Sequence, residues 1–487
     1  MMRRLSVAMA SGLLVGCASL DPWSQPPAAQ RLQRDDTVGD CVRRFQASDI
    51  LIDAAGTRDV QAVRVPGFPY LRVDRTLASL ADEVDGQPQR AAEWSAALAA
   101  QDEAGRRVEL HNAGRDAAAA AASMADCRRL LALADQQQLP ALQEAAQVPD
   151  DYSNTRRVLG LYPLTRYAFA AGISAWQRDT RAEFAAALAG GPHGAPRTRY
   201  LAAEQLDELP DLRQAAALGL PPISRERLAA LIIPHAPRLE IGTLDDNDRP
   251  GALVWQHDSG DSLQLGVDVD QAVLYVRSAH GRLGGRWLLQ LVYSVWFPAR
   301  PPAHAYDVLA GRLDGLLWRV TLDEDGAPLV YDSIHPCGCY HLFIPTGRVR
   351  ARPQPESIDE GLFAPQSVRA PAVDERVVLH LATGTHYLHG VSVEPFRRRV
   401  GEGGILMALR DDDQLRRLPL PGGGSRSAFG TDGLVAGSER LERFYFWPTG
   451  IASAGQMRQW GRHATAFVGR RHFDDPTLLD RYFERQP

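Results

Sequence analysis

Ala252-Leu253-Val254-Trp255-Gln256-His257, bounded by Gly251 and Asp258, reads as a short strand, and Ser262 to Val267 and Ala272 to Val276 repeat the reading. These segments decide the fold class because they follow Pro234, where the spacing of apolar residues changes from about 3.6 to about 2. Downstream, Trp287 to Phe297 is a longer apolar strand that ends at Pro298. Leu316 to Leu322 and Pro328 to Ile334 flank Asp323-Glu324-Asp325-Gly326, a hairpin signal with a turn glycine. Further strands are predicted at Arg376 to Leu381, His386 to Val393, Ile405 to Leu409 and Glu442 to Trp447. Upstream the pattern is helical. Arg75 to Val84 carries an amphipathic stripe, Trp94 to Leu98 and the alanine-rich Ala117 to Ala134 behave likewise, and another helix runs from Arg166 to about Leu188. The expectation is an α+β chain: an all-helical domain over 41–238, then an antiparallel β-sandwich or barrel-like domain over 239–487. Pro353 to Pro371 is a polar, proline-bearing loop long enough to form a flap.

The chain starts Met1-Met2-Arg3-Arg4, continues with an apolar run from Leu5 to Val15, and reaches Gly16-Cys17. A basic start, a brief apolar stretch and a small residue at the cut site are the parts of an export signal, and the run is too short to span a bilayer. Leu14-Val15-Gly16-Cys17 resembles the lipobox of bacterial lipoproteins. The resemblance covers residues 1–17 and implies acylation of Cys17 after signal removal. With Ala18 rather than Asp after the cysteine, it also implies sorting to the outer membrane, with the body on the periplasmic face. Three acyl chains anchor stably where one is marginal. Residues 18–40, polar and proline-bearing at their start, are expected as a tether.

Composition is ordinary for a globular chain, with 45% hydrophobic and 23% charged residues. A net charge of −5 gives no reason to expect nucleic acid as a partner. All 54 basic residues are arginine, so chemistry that requires a lysine (Schiff bases, pyridoxal phosphate, Walker A sites, Ser-Lys dyads) is excluded. Cys17 is one of five cysteines. Export places the others in an oxidising compartment, where Cys41 and Cys127, both in the N-terminal half, are natural disulfide partners.

His335-Pro336-Cys337-Gly338-Cys339-Tyr340-His341 is the chemically dense segment. Its four ligand-type residues alternate, so an extended backbone would aim them at one face, but Pro336 and Gly338 point instead to a bulged strand end or tight loop. Thiolate and imidazole suit a transition metal: zinc, copper or iron. Four ligands this close rarely complete a site alone, and His386, in Gly384-Thr385-His386-Tyr387-Leu388-His389, is the candidate from a second segment. The expected metal set is therefore His335, Cys337, Cys339, His341 and His386. A second reading is a Cys-Gly-Cys redox dithiol, with an adjacent histidine lowering a thiol pKa. A third is a structural role only. Gly260-Asp261-Ser262-Leu263 and Asp332-Ser333-Ile334-His335-Pro336 resemble two sequence blocks of the GDSL-type esterases. Only these short pieces match, within a strand-rich stretch unlike that family's α/β domain.

Together these readings predict a membrane-anchored periplasmic lipoprotein with a His/Cys metal site in its β domain, whether or not it is an enzyme. The rival classes are a non-catalytic envelope protein that binds another envelope component, and a dithiol redox protein.

Overall fold

Helix starts in the N-terminal part are set by aspartates and a proline. The Asp36 carboxylate accepts the Gly39 N–H at the start of α1 (Thr37–Ala54). Pro88, whose missing N–H is no loss in a first turn, opens α2 (Pro88–Asn112). Asp116 accepts the N–H groups of Ala118 and Ala119 to start α3 (Ala117–Ala134), so the alanine run is helix as expected. The structure, a computed structural model, describes residues 21–188, 195–202, 209, 212, 216–221, 223–395 and 403–486. Cys17 and the signal region lie outside the described residues. Among the described residues, no helix is long and apolar enough to cross a membrane.

The three helices bury Phe45, Trp94, Leu98 and Leu131 between them, and a Cys41–Cys127 disulfide joins α1 to α3. Beside this apolar core lies an ion network. Arg72, with no exposed surface, donates to Asp102 (3.2 Å) and to both Glu109 oxygens (3.0 and 2.6 Å). Arg106 and Arg128 also donate to Asp102. A planar guanidinium fork can satisfy several buried oxygens at once, which fits a chain whose only strong cation is arginine. The segment expected as a tether is packed chain from Pro22 onward: Ala28 is buried, and Arg31 pairs with Asp135.

Two helices follow, the short α4 (Asn154–Leu159) and the long α5 (Tyr162–Leu188), which leaves the helical part to lie along the β part. The strands are β1 (Arg197–Leu201), β2 (Arg238–Gly242), β3 (Ala252–His257), β4 (Leu263–Asp268), β5 (Val273–Leu283), β6 (Arg286–Arg300), β7 (Gly311–Leu322), β8 (Pro328–Ile334), β9 (Leu342–Pro345), β10 (Glu375–Leu381), β11 (Leu388–Pro395), β12 (Ile405–Leu406) and β13 (Ala408–Asp411). One sheet has the order β9-β8-β7-β6-β5-β13 and the other β11-β10-β2-β1-β12, while β3 and β4 form a separate hairpin. The two sheets share one core. Every second residue of β6 from Leu289 to Phe297 enters it, opposite Leu239, Ile241, Leu379 and Leu381 of the other sheet.

The fold is α+β, with open sheets of mixed direction. Most pairs are antiparallel, but β2 runs parallel to β10, β12 to β1 and β13 to β5. The β region begins earlier than the composition suggests: β1, within 41–238, pairs antiparallel with β2. Helical and β parts are also tied by buried ion pairs. Asp59 receives two hydrogen bonds from Arg416 and one from Gln459, and Arg75 bridges Asp151 and Asp474.

The β7–β8 hairpin turns at Asp323–Gly326 as expected, with Gly326 at φ 75°. The β6 strand does not stop at Pro298. Pairing with β7 resumes at Ala299 and Arg312, and Leu313 takes a left-handed φ of 55° opposite the proline. Glu442 to Trp447 is not the expected strand. The Glu442 carbonyl accepts the N–H groups of Tyr445 and Phe446, making one helical turn, α6 (Arg443–Phe446), after which Pro448, with no N–H to give, leaves the chain in a 3₁₀ turn, Trp447–Thr449. Aromatic residues favour strands, but among the described residues no strand pairs with this segment.

Candidate functional site

The turn between β8 and β9 is residues 335–341. The His335 N–H donates to the Cys339 carbonyl (3.0 Å), and the Gly338 N–H donates to the His335 carbonyl (2.8 Å). Gly338 stands at φ 90°, and a Cβ there would meet the Ala464 carbonyl oxygen at 2.5 Å, so both backbone and packing require glycine. The tight-loop reading of this segment holds, and the turn sends its two histidines to different faces of the sheet. His335 joins Asp314 on the face that carries Leu316 and Trp318 into the shared core. His341 joins Asp332 and Arg319 on the other face, beside Phe473.

His335 Nδ1 lies 3.2 Å from one oxygen of Asp314, and His386 Nδ1 lies 2.9 Å from the other. His386 sits in the β10–β11 turn at φ 52°, stacked on Phe297 with ring centroids 3.9 Å apart. Its Nε2 faces Asp248 at 3.5 Å. A chain of four buried groups results: Asp248, His386, Asp314, His335. Burial disfavours a charged His386, but the Asp248 and Asp314 carboxylates outweigh it and raise its pKa. Burial would lift Asp314, yet the two imidazoles hold it well below the usual carboxylate range. For His335 burial wins over the single carboxylate and lowers the pKa, leaving a neutral ring whose Nε2 has no hydrogen-bond partner among the described residues. His341 is pushed down to about 4 by burial, against the pull of Asp332.

The His335 ring packs edge-to-face against Tyr340 and Tyr387, and the three line a void of about 10 Å³ with Thr180 and Ser333. The Tyr387 hydroxyl accepts from Arg300 (2.8 Å) and is hydrogen-bonded by Tyr340. Both tyrosines also line a much larger chamber of about 440 Å³, roofed by Phe169, Ile173 and Trp176 of α5 and walled by Phe446, Ile451 and Phe467. Cys337 and Cys339 are buried, unpaired thiols on the same wall, with the Cys339 N–H 3.4 Å from the Cys337 sulfur. Interaction with Cys337, followed by burial, raises the Cys339 thiol pKa, so it is held protonated. Two carboxyl groups complete the lining. Glu360, from the loop expected as a flap, accepts the Phe467 and Val468 N–H groups. Glu442 is pushed up to about 7 by burial, opposed by Arg440 and Arg300.

Of the residues expected as a metal set, the structure brings His335 and His386 together through Asp314. It places Cys337 and Cys339 on the chamber wall and His341 across the sheet with Asp332. Among the described residues, no group of three or more His, Cys, Asp or Glu side chains is arranged to hold a metal ion. The esterase-like blocks are not assembled either: Asp332 is held by Arg319 (2.9 and 2.5 Å) and His341, while Ser262 is an exposed turn residue. Asp314, Asp248, Arg300, Tyr387 and Glu442 were not singled out in the sequence. Asp314 did carry a signal, as a lone carboxylate at the head of the apolar run Leu316 to Leu322, since a charge in a buried strand needs a partner. Comparison of the chain with protein-family models, curated proteins and solved structures finds no match.

Proposed function

We propose that this chain is a lipid-anchored protein of the bacterial envelope that binds a small, largely apolar molecule in the chamber beneath α5. The observation that carries the reading is the chamber itself. It is an apolar space of about 440 Å³ with a few convergent polar groups at one wall, and pockets of roughly 300–1,000 Å³ with that character are where proteins hold small ligands. The polar wall is preorganised. Arg300 and Tyr340 fix the Tyr387 hydroxyl, and the chain from His335 to Asp248 stands behind the tyrosine pair. Such a wall orients the polar end of a ligand while the aromatic and aliphatic lining takes the rest. The lipobox-like segment Leu14-Val15-Gly16-Cys17 supports the envelope location.

The test is uptake of an environment-sensitive anilinonaphthalene sulfonate dye by the purified protein. Gly172 lines the chamber, and a Cβ there meets nothing within 4 Å. Gly172 is itself exposed, so Gly172→Phe adds a ring in open space at the mouth of the chamber, and it should sharply reduce dye uptake without lowering the melting temperature. Uptake unchanged in a well-folded Gly172→Phe protein would sink the chamber reading. Elemental analysis run alongside tests the metal alternative. One equivalent of zinc, copper or iron, lost in Cys337→Ala/Cys339→Ala, would favour a His/Cys metal centre instead. Palmitate incorporation, expected to vanish in Cys17→Ala, tests the anchor.

A further inference from the structure

The end of α4, the first turns of α5 and the neighbouring α6 expose large apolar side chains where solvent-facing helices are normally polar. Leu159, Leu161, Leu164 and Tyr167 are exposed on α4, α5 and the turn between them, with Leu164 at 69% of its full accessibility. Phe444 and Tyr445 of α6 are exposed likewise. These elements pack together: a Cβ on Gly160 would run into Pro448, and Phe169 of α5 meets Phe446 with ring centroids 5.5 Å apart. Exposed clusters of large apolar side chains of this kind mark interaction sites.

The patch is continuous with the chamber. Leu164, Ala168 and Gly172 follow one another at i, i+4 and i+8 along a single face of α5; all three are exposed, and the last two also line the chamber, which opens beside them. On α6, Phe446 lines the chamber while its neighbours Phe444 and Tyr445 face solvent. Exposed apolar side chains therefore lead up to the chamber's open edge, where an apolar molecule could enter. Arginines flank this rim: exposed Arg156 on α4, and Arg443, whose guanidinium sits 4.9 Å from the Phe444 ring centre. Amphipathic surfaces that combine arginine with tyrosine, phenylalanine and leucine are suited to the headgroup boundary of a bilayer.

Resting on the chamber reading, we infer that the ligand is the acyl chain of a bilayer lipid, which enters from the membrane over the rim formed by α4, α5 and α6. The chamber's aliphatic and aromatic lining takes the chain, and Tyr387 with Glu442 at the inner wall meets its polar end or accepts its terminus. The rim arginines meet the headgroups of the lipids left behind.

The experiment uses the full lipidated chain in vesicles of phosphatidylethanolamine and phosphatidylglycerol, some of the latter carrying a photoactivatable diazirine on one acyl chain. After irradiation, crosslinks mapped by mass spectrometry are expected on Phe169, Ile173 or Phe446, and they should fall to background in Gly172→Phe. Leu164→Glu/Phe444→Glu, both at exposed positions, should slow labelling from vesicles several-fold. The same double variant should leave labelling by a water-soluble diazirine-bearing octanoate unchanged. If the double variant is labelled from vesicles as fast as the wild type, the membrane route is overturned. If the anilinonaphthalene dye enters the chamber but neither lipid nor octanoate labels it, the acyl-chain assignment fails while the chamber stands. If neither dye nor lipid enters, both fall.

Discussion

Burial lifts Glu442 to about 7 from an ordinary 4.5, so between those values the native chain holds a proton that the unfolded chain has released. The stability this proton brings is complete below about 4.5 and is lost as the pH rises through about 7. Glu442→Gln removes that loss. In urea titrations at pH 8 the variant should be the more stable protein, by up to about 3 kcal/mol, and the two should converge at pH 4. Indistinguishable curves at pH 8 would show that the carboxyl is solvated. Asp314 is the opposite case, a carboxylate kept ionised by two imidazoles. Asp314→Ala leaves His386 raised by one carboxylate instead of two and should cost about 3–5 kcal/mol, as breaking a buried charge pair does. At this scale His335 was legible because histidine near cysteine is a recognisable pattern, and His386 because such a set needs a ligand from a second segment. Asp314 lies in a different strand from either, and one aspartate in a sequence does not announce which imidazoles it will join.

The turn of residues 335–341 shows how a single element decides what its residues can do. Had the segment been extended, its four ligand-type side chains would have shared a face. Instead Gly338 at φ 90° closes a turn, and the antiparallel return of β9 carries His341 to the far side of the sheet from His335. Gly338→Ala puts a methyl group against the Ala464 carbonyl in a backbone region that alanine disfavours, and should destabilise the protein by about 1–3 kcal/mol in thermal unfolding. An unchanged melting temperature would mean that the 464 loop yields. The helix α6 was read as a strand for a physical reason: Phe444-Tyr445-Phe446-Trp447 has the side chains strands prefer. Its actual conformation follows from the Glu442 carbonyl and Pro448, local features outweighed by aromatic composition in any strand count.

For the molecule as a whole, the helical and β parts are held by ties that stability measurements can separate. The Cys41–Cys127 bridge spans 86 residues within the helical part. Cys41→Ala/Cys127→Ala should lose about 2–4 kcal/mol, a loss that reductant reproduces in the wild type but not in the variant. The Asp59–Arg416 pair crosses from the helical part to the β part, so Arg416→Ala leaves a buried carboxylate unpaired. It should convert one unfolding transition into two, or lower the single one by about 3–5 kcal/mol. The sequence by itself determined the order of helical and β regions, the disulfide partners, the β7–β8 hairpin and the segment from which the site is built. Each of these is written in local periodicity, turn residues or the count of cysteines. Only the tertiary structure decided that β1 belongs to the sheet of β2, that Asp314 joins His335 to His386, and that α5 roofs an apolar chamber. Those features depend on residues far apart in the chain meeting across two packed sheets. Local pattern records which face of an element is apolar, but not which other element will cover it.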